Sequence, residues 1–138
     1  MARLIESSLW VDFTRRKSPT ALKLRIEPWI LDPLAVLCEP VIFEILRHAT
    51  AQERPLIEAQ FSTLPVLETP PRIWRAAALL GQKCRDQGFN TGSLDLVIAA
   101  IALHHDAEII TFDADYLAIS KISVLRVQLL SRAGVELE

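Results

Sequence analysis

Apolar residues in this chain follow two rhythms. Short continuous runs, Leu4-Ile5, Ala35-Val36-Leu37-Cys38 and Ile109-Ile110 within Glu108–Phe112, are bounded by polar or turn residues and read as buried strands. Between them, apolar positions recur every three or four residues, the spacing of one helix face. Leu9, Trp10 and Phe13 follow Ser7-Ser8, a pair expected to cap that helix. Leu22, Leu24, Ile26 and Ile30 form a second stretch, opened by Ser18-Pro19 and closed near Asp32-Pro33. Val41, Ile42, Ile45 and Leu46 follow Pro40, which suits the first helical turn, and a fourth helix runs from about Ala51 to Phe61. Pro70-Pro71 opens a long helix with Ile73, Ala76, Ala77, Leu80 and Cys84 inward and Gly88 at its end. Asn90-Thr91-Gly92-Ser93 is a loop expected to cap a further helix, whose first turn holds Asp95 and whose body, Leu96 to Leu103, is apolar throughout. Pro65–Glu68 reads as a short strand and Val124–Val127 as a last edge strand. Strands alternating with helices predict an α/β fold, a central and mainly parallel sheet with helices on both faces.

At 138 residues and 51% hydrophobic composition the chain has enough apolar surface for one core, so residues 1–138 are expected to form a single domain without disulfide staples. Cys38 and Cys84 stand in apolar surroundings without C-x-x-C spacing, and His48, His104 and His105 do not pair with them as zinc ligands would. Buried free thiols in a reducing cytoplasm are expected. An acid, Glu6, interrupts the first apolar run, and Leu96 to Leu103 is far shorter than the roughly 20 residues of a membrane helix, so neither an export signal nor an anchor is expected. A net charge of -2 gives no general basic excess for nucleic acid. The distribution changes that picture. Phe89 to Ser120 contains Asp95, Asp106, Glu108, Asp113 and Asp115 but no Lys or Arg, whereas cations gather at Arg15-Arg16-Lys17 with Lys23 and Arg25, and at Arg72, Arg75, Lys83 and Arg85. Acids flanked by basic surface suit a phosphodiester substrate.

Four acids, Glu6, Glu44, Asp95 and Asp113, stand beside apolar runs where a strand ends or a helix begins. Carboxylates are rarely buried without partners, so several at one end of a sheet point to a divalent cation on oxygen ligands and to a metal-dependent hydrolase. Ligands of parallel α/β sheets bind at the carboxyl ends of strands, where Glu6 and Asp113 fall.

The stretch Leu94-Asp95-Leu96-Val97-Ile98-Ala99-Ala100-Ile101-Ala102-Leu103, continued by Ile109-Ile110-Thr111-Phe112-Asp113-Ala114-Asp115-Tyr116, resembles the C-terminal motif of PIN-domain ribonucleases, most of all the VapC-type toxins of bacterial toxin–antitoxin pairs. Leu4–Phe13 resembles that family's first motif and Glu39–Leu46 its second. The resemblance implies a PIN-like three-layer fold with Glu6, Glu44, Asp95 and Asp113 as catalytic, metal-binding acids, Asp115 auxiliary, and Ser7 the hydroxyl beside the first acid. It also implies Mg²⁺ or Mn²⁺, an RNA substrate, a homodimer and a cognate antitoxin; exposed apolar surface of the helices Leu22–Ile30 or Leu56–Phe61 is expected to serve these contacts. Arg72, Arg75 and Lys83, near one face of their helix, are candidate phosphate contacts. One position departs from the family pattern, whose first acid is ordinarily Asp; Glu6 extends the carboxylate by a methylene. The alternative reading is therefore a catalytically weakened PIN-like module that binds RNA or protein. A haloacid-dehalogenase phosphatase would need motifs beyond Asp113-Ala114-Asp115 for which too little chain remains, and a phospho-receiver would need an early acidic pair that Glu6 alone does not supply.

Overall fold

The computed structural model describes residues 1–133. Among them, five strands form one parallel sheet in the order β3-β2-β1-β4-β5. The strands are β1 (Arg3–Ile5), β2 (Ala35–Cys38), β3 (Val66–Leu67), β4 (Glu108–Thr111) and β5 (Arg126–Leu129). Seven helices flank it: α1 (Ser7–Thr14), α2 (Thr20–Ile30), α3 (Glu39–His48), α4 (Arg54–Phe61), α5 (Arg72–Asp86), α6 (Ser93–His104) and α7 (Asp115–Lys121).

The central strands are apolar in unbroken runs because helices cover both of their sides. Leu4, Ile5, Leu37, Ile109 and Ile110 have no exposed surface, and β2 is buried at all of its positions. The core extends outward through Leu9 and Trp10 of α1, Ile26 of α2, Val41 of α3, Ile73 of α5, and Ile98 and Ile101 of α6. Trp10 stands edge-on to the Phe61 ring, with ring centroids 4.8 Å apart, locking α1 to α4.

Strand order decides where a ligand can sit. From β1 the chain crosses to β2 on one side and later returns to β4 on the other, so the crevice above β1 and β4 is the topological switch point of the sheet. Glu6 follows β1 directly and Asp113 comes two residues after β4. Both therefore open onto that crevice.

Several boundaries differ in detail from the sequence expectation, each for a local reason. Glu6, not the serine pair, is the N-cap of α1, and its side chain accepts the Ser8 backbone N–H. The Asn90–Ser93 loop gives α6 no side-chain cap; Gly92 holds the N-cap position. Ala76 and Leu24 point outward, and Val124 is exposed because β5 starts two residues later than expected, at Arg126. The end of α5 agrees with the sequence. Gly88 adopts φ 81°, its N–H bonds the Arg85 carbonyl at 3.0 Å, and the Phe89 N–H bonds Cys84 at 2.8 Å, the Schellman arrangement that glycine permits. Cys38 and Cys84 are both free and buried, and burial pushes the Cys38 thiol up to about 12.

Ile109 is wholly enclosed in β4, so Ile109→Ala is expected to cost about 2–5 kcal/mol in urea unfolding with an unchanged m-value.

Candidate active site

The site is built outward from Glu6, which is 4% exposed. Its Oε1 accepts three hydrogen bonds: from the Ser8 hydroxyl at 2.6 Å, the Thr111 hydroxyl at 2.6 Å and the Ser8 backbone N–H at 3.1 Å. Ser8 and Thr111 each carry one hydroxyl proton, so both protons are committed to Glu6 and both oxygens are left to accept. Ser8 Oγ accepts the Phe112 N–H at 2.9 Å, and Thr111 Oγ1 accepts the Asp113 N–H at 2.9 Å. Asp113 Oδ1 in turn accepts the Asp115 N–H at 2.9 Å. One chain of bonds thus leads from β1 through the end of β4 to the two aspartates beyond it.

Two further acids are held separately. Glu44 projects from the middle of α3, and the Ser7 hydroxyl donates to its Oε1 at 2.6 Å. Asp95, in the first turn of α6, receives the Tyr116 hydroxyl on Oδ1 at 3.1 Å. Tyr116 has no exposed surface, so its hydroxyl can serve little else. Asp95, Asp113 and Asp115 each offer a carboxylate oxygen within 4.8 Å of the others. That spacing, with oxygen donors only, fits a hard divalent cation such as Mg²⁺ or Mn²⁺. Asp115, expected as an auxiliary, belongs to this trio. Glu6 and Glu44, expected as metal ligands, are not part of the trio, though their charges act on Asp95.

Electrostatics couple Asp95 with Asp113, Glu6 and Glu44. Burial raises the Asp95 carboxyl to about 6; the Tyr116 bond opposes the rise, and the charges of Asp113, Glu6 and Glu44 add to it. Glu6 is raised mainly by burial, against the hydrogen bonds from Ser8 and Thr111, with Asp113 adding repulsion. Tyr116 is pushed well above the ordinary phenol range, by burial first and then by the neighbouring carboxylates.

The predicted cations stand elsewhere. Arg72 meets His104 at 3.4 Å, nine residues and about 13 Å along α6 from Asp95. Arg72 and Lys83 line a cavity of about 630 Å³ with Ile73, Leu79, Leu103 and His104, and no acid of the cluster borders it. Arg75 is exposed on α5. The residues that sequence reasoning left without a site role are Thr111 and Tyr116, and Ser8 was read only as a helix cap. Thr111 carried a signal, a polar residue closing an apolar strand two positions before Asp113.

A PIN domain profile matches residues 3–122. This chain belongs to the PIN-domain family. Among curated proteins it is 32% identical to VapC ribonuclease Mb1587 of Mycobacterium bovis over 128 residues, covering 89% of this chain and 95% of the relative. Ribonuclease VapC21 of Mycobacterium tuberculosis is 29% identical over 107 residues, 75% of this chain and 78% of that one. Two solved structures share the fold: VapBC2 from Rickettsia felis bound to a DNA fragment from the promoter, with a TM-score of 0.75 at 16% identity over 95% of this chain and 100% of the other, and VapBC-1 from nontypeable Haemophilus influenzae, at 0.71 and 20% over 94% and 98%.

Two outcomes follow for this PIN domain. Asp95 has a folded-state value of about 6 against an ordinary 3.8, so the fold binds its proton more tightly than the unfolded chain does; metal-free stability is expected to fall as pH rises from about 4 to about 6 and to stay lowered above that. Asp95→Asn should flatten this decline, raise the metal-free Tm at neutral pH, and remove the Tm increment expected of the wild type on adding Mn²⁺, all read by scanning calorimetry. Tyr116→Phe keeps the buried ring but releases Asp95, and is expected to weaken Mn²⁺ binding about 10-fold by titration calorimetry.

Proposed function

We propose that this PIN domain is a divalent-cation-dependent endoribonuclease, a phosphodiester hydrolase acting as the toxin of a two-protein toxin–antitoxin pair. The observation that carries the reading is the Asp95, Asp113 and Asp115 trio at the switch point of the sheet, with Glu6 and Glu44 beside it. The names of the curated relatives, VapC ribonucleases, support the substrate class.

In this reading Asp95, Asp113 and Asp115 hold Mg²⁺ or Mn²⁺. Such a cation supplies Lewis-acid stabilisation of the charge that develops on the scissile phosphate. Glu6 sets the position of Asp113 through Thr111, and Ser7 steadies Glu44 at the edge of the cluster. The longer side chain at position 6 has a use here: its Oε1 reaches the first turn of α1 and the end of β4 together. We assign the protein to the cytoplasm, as a homodimer of single PIN-like units paired with a cognate antitoxin. Among the described residues no helix is long and apolar enough to cross a membrane. Leu24 and Leu56, 62% and 75% exposed, project from α2 and α4, and a cleft of about 440 Å³ between α1, α2 and α4, lined by Phe13, Leu56 and Ile57, offers apolar surface for such a partner.

The test is cleavage of a mixed RNA pool by purified protein with Mg²⁺, with Mn²⁺ and with chelator. Cutting is expected with either cation and not with chelator, and Asp95→Asn should lower it by about 100-fold or more. A silent wild type beside an active Glu6→Asp variant would instead assign the weakened binding module.

A further inference from the structure

The hydrogen bond between Ser7 and Glu44 fixes how α1 and α3 run away from the acids. Ser7, Val11 and Arg15 succeed one another at four-residue steps along one side of α1, with the Arg15 N–H still bonded to the Val11 carbonyl at 3.2 Å. On α3, His48 follows Glu44 by the same step. Val11, Thr14 and Arg15 face Ile45, His48 and Ala49 across a narrow gap between the two helices. That gap opens into a cleft of about 640 Å³ lined by Arg15, Arg16, Lys17, His48, Thr50, Gln52 and Glu53. At 1.5 Å per residue, Arg15 lies about 12 Å along α1 from Ser7, and His48 about 6 Å along α3 from Glu44. Both helices thus begin beside carboxylates or carry one, and run toward a group of cations at their far ends.

The cleft sets three cations against one carboxylate. Glu53 is occupied by its own turn, accepting the backbone N–H of Thr50 at 3.0 Å and of Arg16 at 3.4 Å, and Arg16 Nη1 donates to Gln52 at 2.9 Å. The Arg15 and Lys17 side chains are exposed and make no hydrogen bond or ion pair among the described residues. Two free cations beside a cleft, at the end of the helix that starts next to a cluster that would hold the cut bond, are placed for an anion on the same strand.

We propose that the Arg15–Lys17 cleft binds a backbone phosphate of the RNA a few nucleotides from the scissile bond. This rests on the ribonuclease reading and gives that site a direction. The separation of about 12 Å exceeds the rise of about 3.4 Å per nucleotide of a stacked strand, so the phosphate held is not the one cut. Arg15 offers a planar guanidinium fork that matches phosphate oxygens, and Lys17 a compact charge.

The experiment compares wild type with an Arg15→Ala/Lys17→Ala variant, whose changes lie on the surface outside the acidic cluster. Binding is read by fluorescence anisotropy with a labelled single-stranded RNA of about 12 nucleotides, both proteins carrying Asp95→Asn to prevent cutting. The double variant should bind about 10-fold more weakly, with its salt slope smaller by about 0.7, the contribution of one neutralised phosphate on a single strand. With Asp95 intact, KM for the long RNA should rise at unchanged kcat, and a trinucleotide too short to reach the cleft from the acids should be cut equally by both proteins. An unaltered Kd and salt slope on the long RNA, in a wild type that cleaves, overturns the cleft while leaving the ribonuclease standing; so does an equal loss on the trinucleotide. A wild type that neither cuts nor binds RNA overturns the ribonuclease reading itself. Normal RNA binding with lost antitoxin binding gives the cleft to a protein partner and overturns the proposal.

Discussion

A carboxylate buried beneath the surface must be hydrogen-bonded or it destabilises the fold that holds it. Glu6 meets this demand by gathering Ser8 and Thr111 onto one oxygen, which brings the end of β1, the first turn of α1 and the last residue of β4 to a single point. The acids depend on that point. Thr111 passes the constraint to the Asp113 backbone, and Asp113 passes it to Asp115, so the spacing of two of the three clustered aspartates is set by bonds that begin at Glu6.

The same arrangement concentrates like charge. Asp95 is raised to about 6 by burial and by its acidic neighbours, and Glu6 is raised for the same two reasons. A fold that tolerates this holds a preformed anionic site whose repulsion a divalent cation would relieve, inverting the local preference for protonation. The hydroxyls of Ser7, Ser8, Thr111 and Tyr116 keep the carboxylates in place meanwhile, each donating to a carboxylate oxygen at 2.6–3.1 Å. Helix α1 adds an orientation, with Ser7 beside the acids at its start and Arg15, Arg16 and Lys17 lining a cleft at its end.

Strands β1, β2 and β4, the helices between them and the glycine end of α5 were legible because each is local: an apolar run, a repeat of three or four, a residue that tolerates positive φ. The acids were legible too, as charge where burial was expected, and the family motifs lie in the same residues. What periodicity could not carry was partnership. Ser7 and Ser8 are adjacent in the chain, yet one serves Glu44 and the other Glu6, because successive residues at a helix start point in different directions. Asp115, the first residue of α7, belongs to the trio, whereas Glu6, held by its three donors, does not.

The sequence by itself determined that strands and helices alternate, that the sheet is buried on both sides, and that four acids stand beside apolar runs; three of them, Glu6, Asp95 and Asp113, lie at element ends, whereas Glu44 lies within α3. Tertiary structure decided which carboxylates share a site and which cations accompany them. Arg72 and Lys83 share a helix face but line a cavity that no clustered acid borders, whereas Arg15 and Glu44, far apart in sequence, lie along the same pair of packed helices. Helix phase fixes the face on which a residue stands; only the order β3-β2-β1-β4-β5, which opens the crevice between β1 and β4, fixes what that face meets.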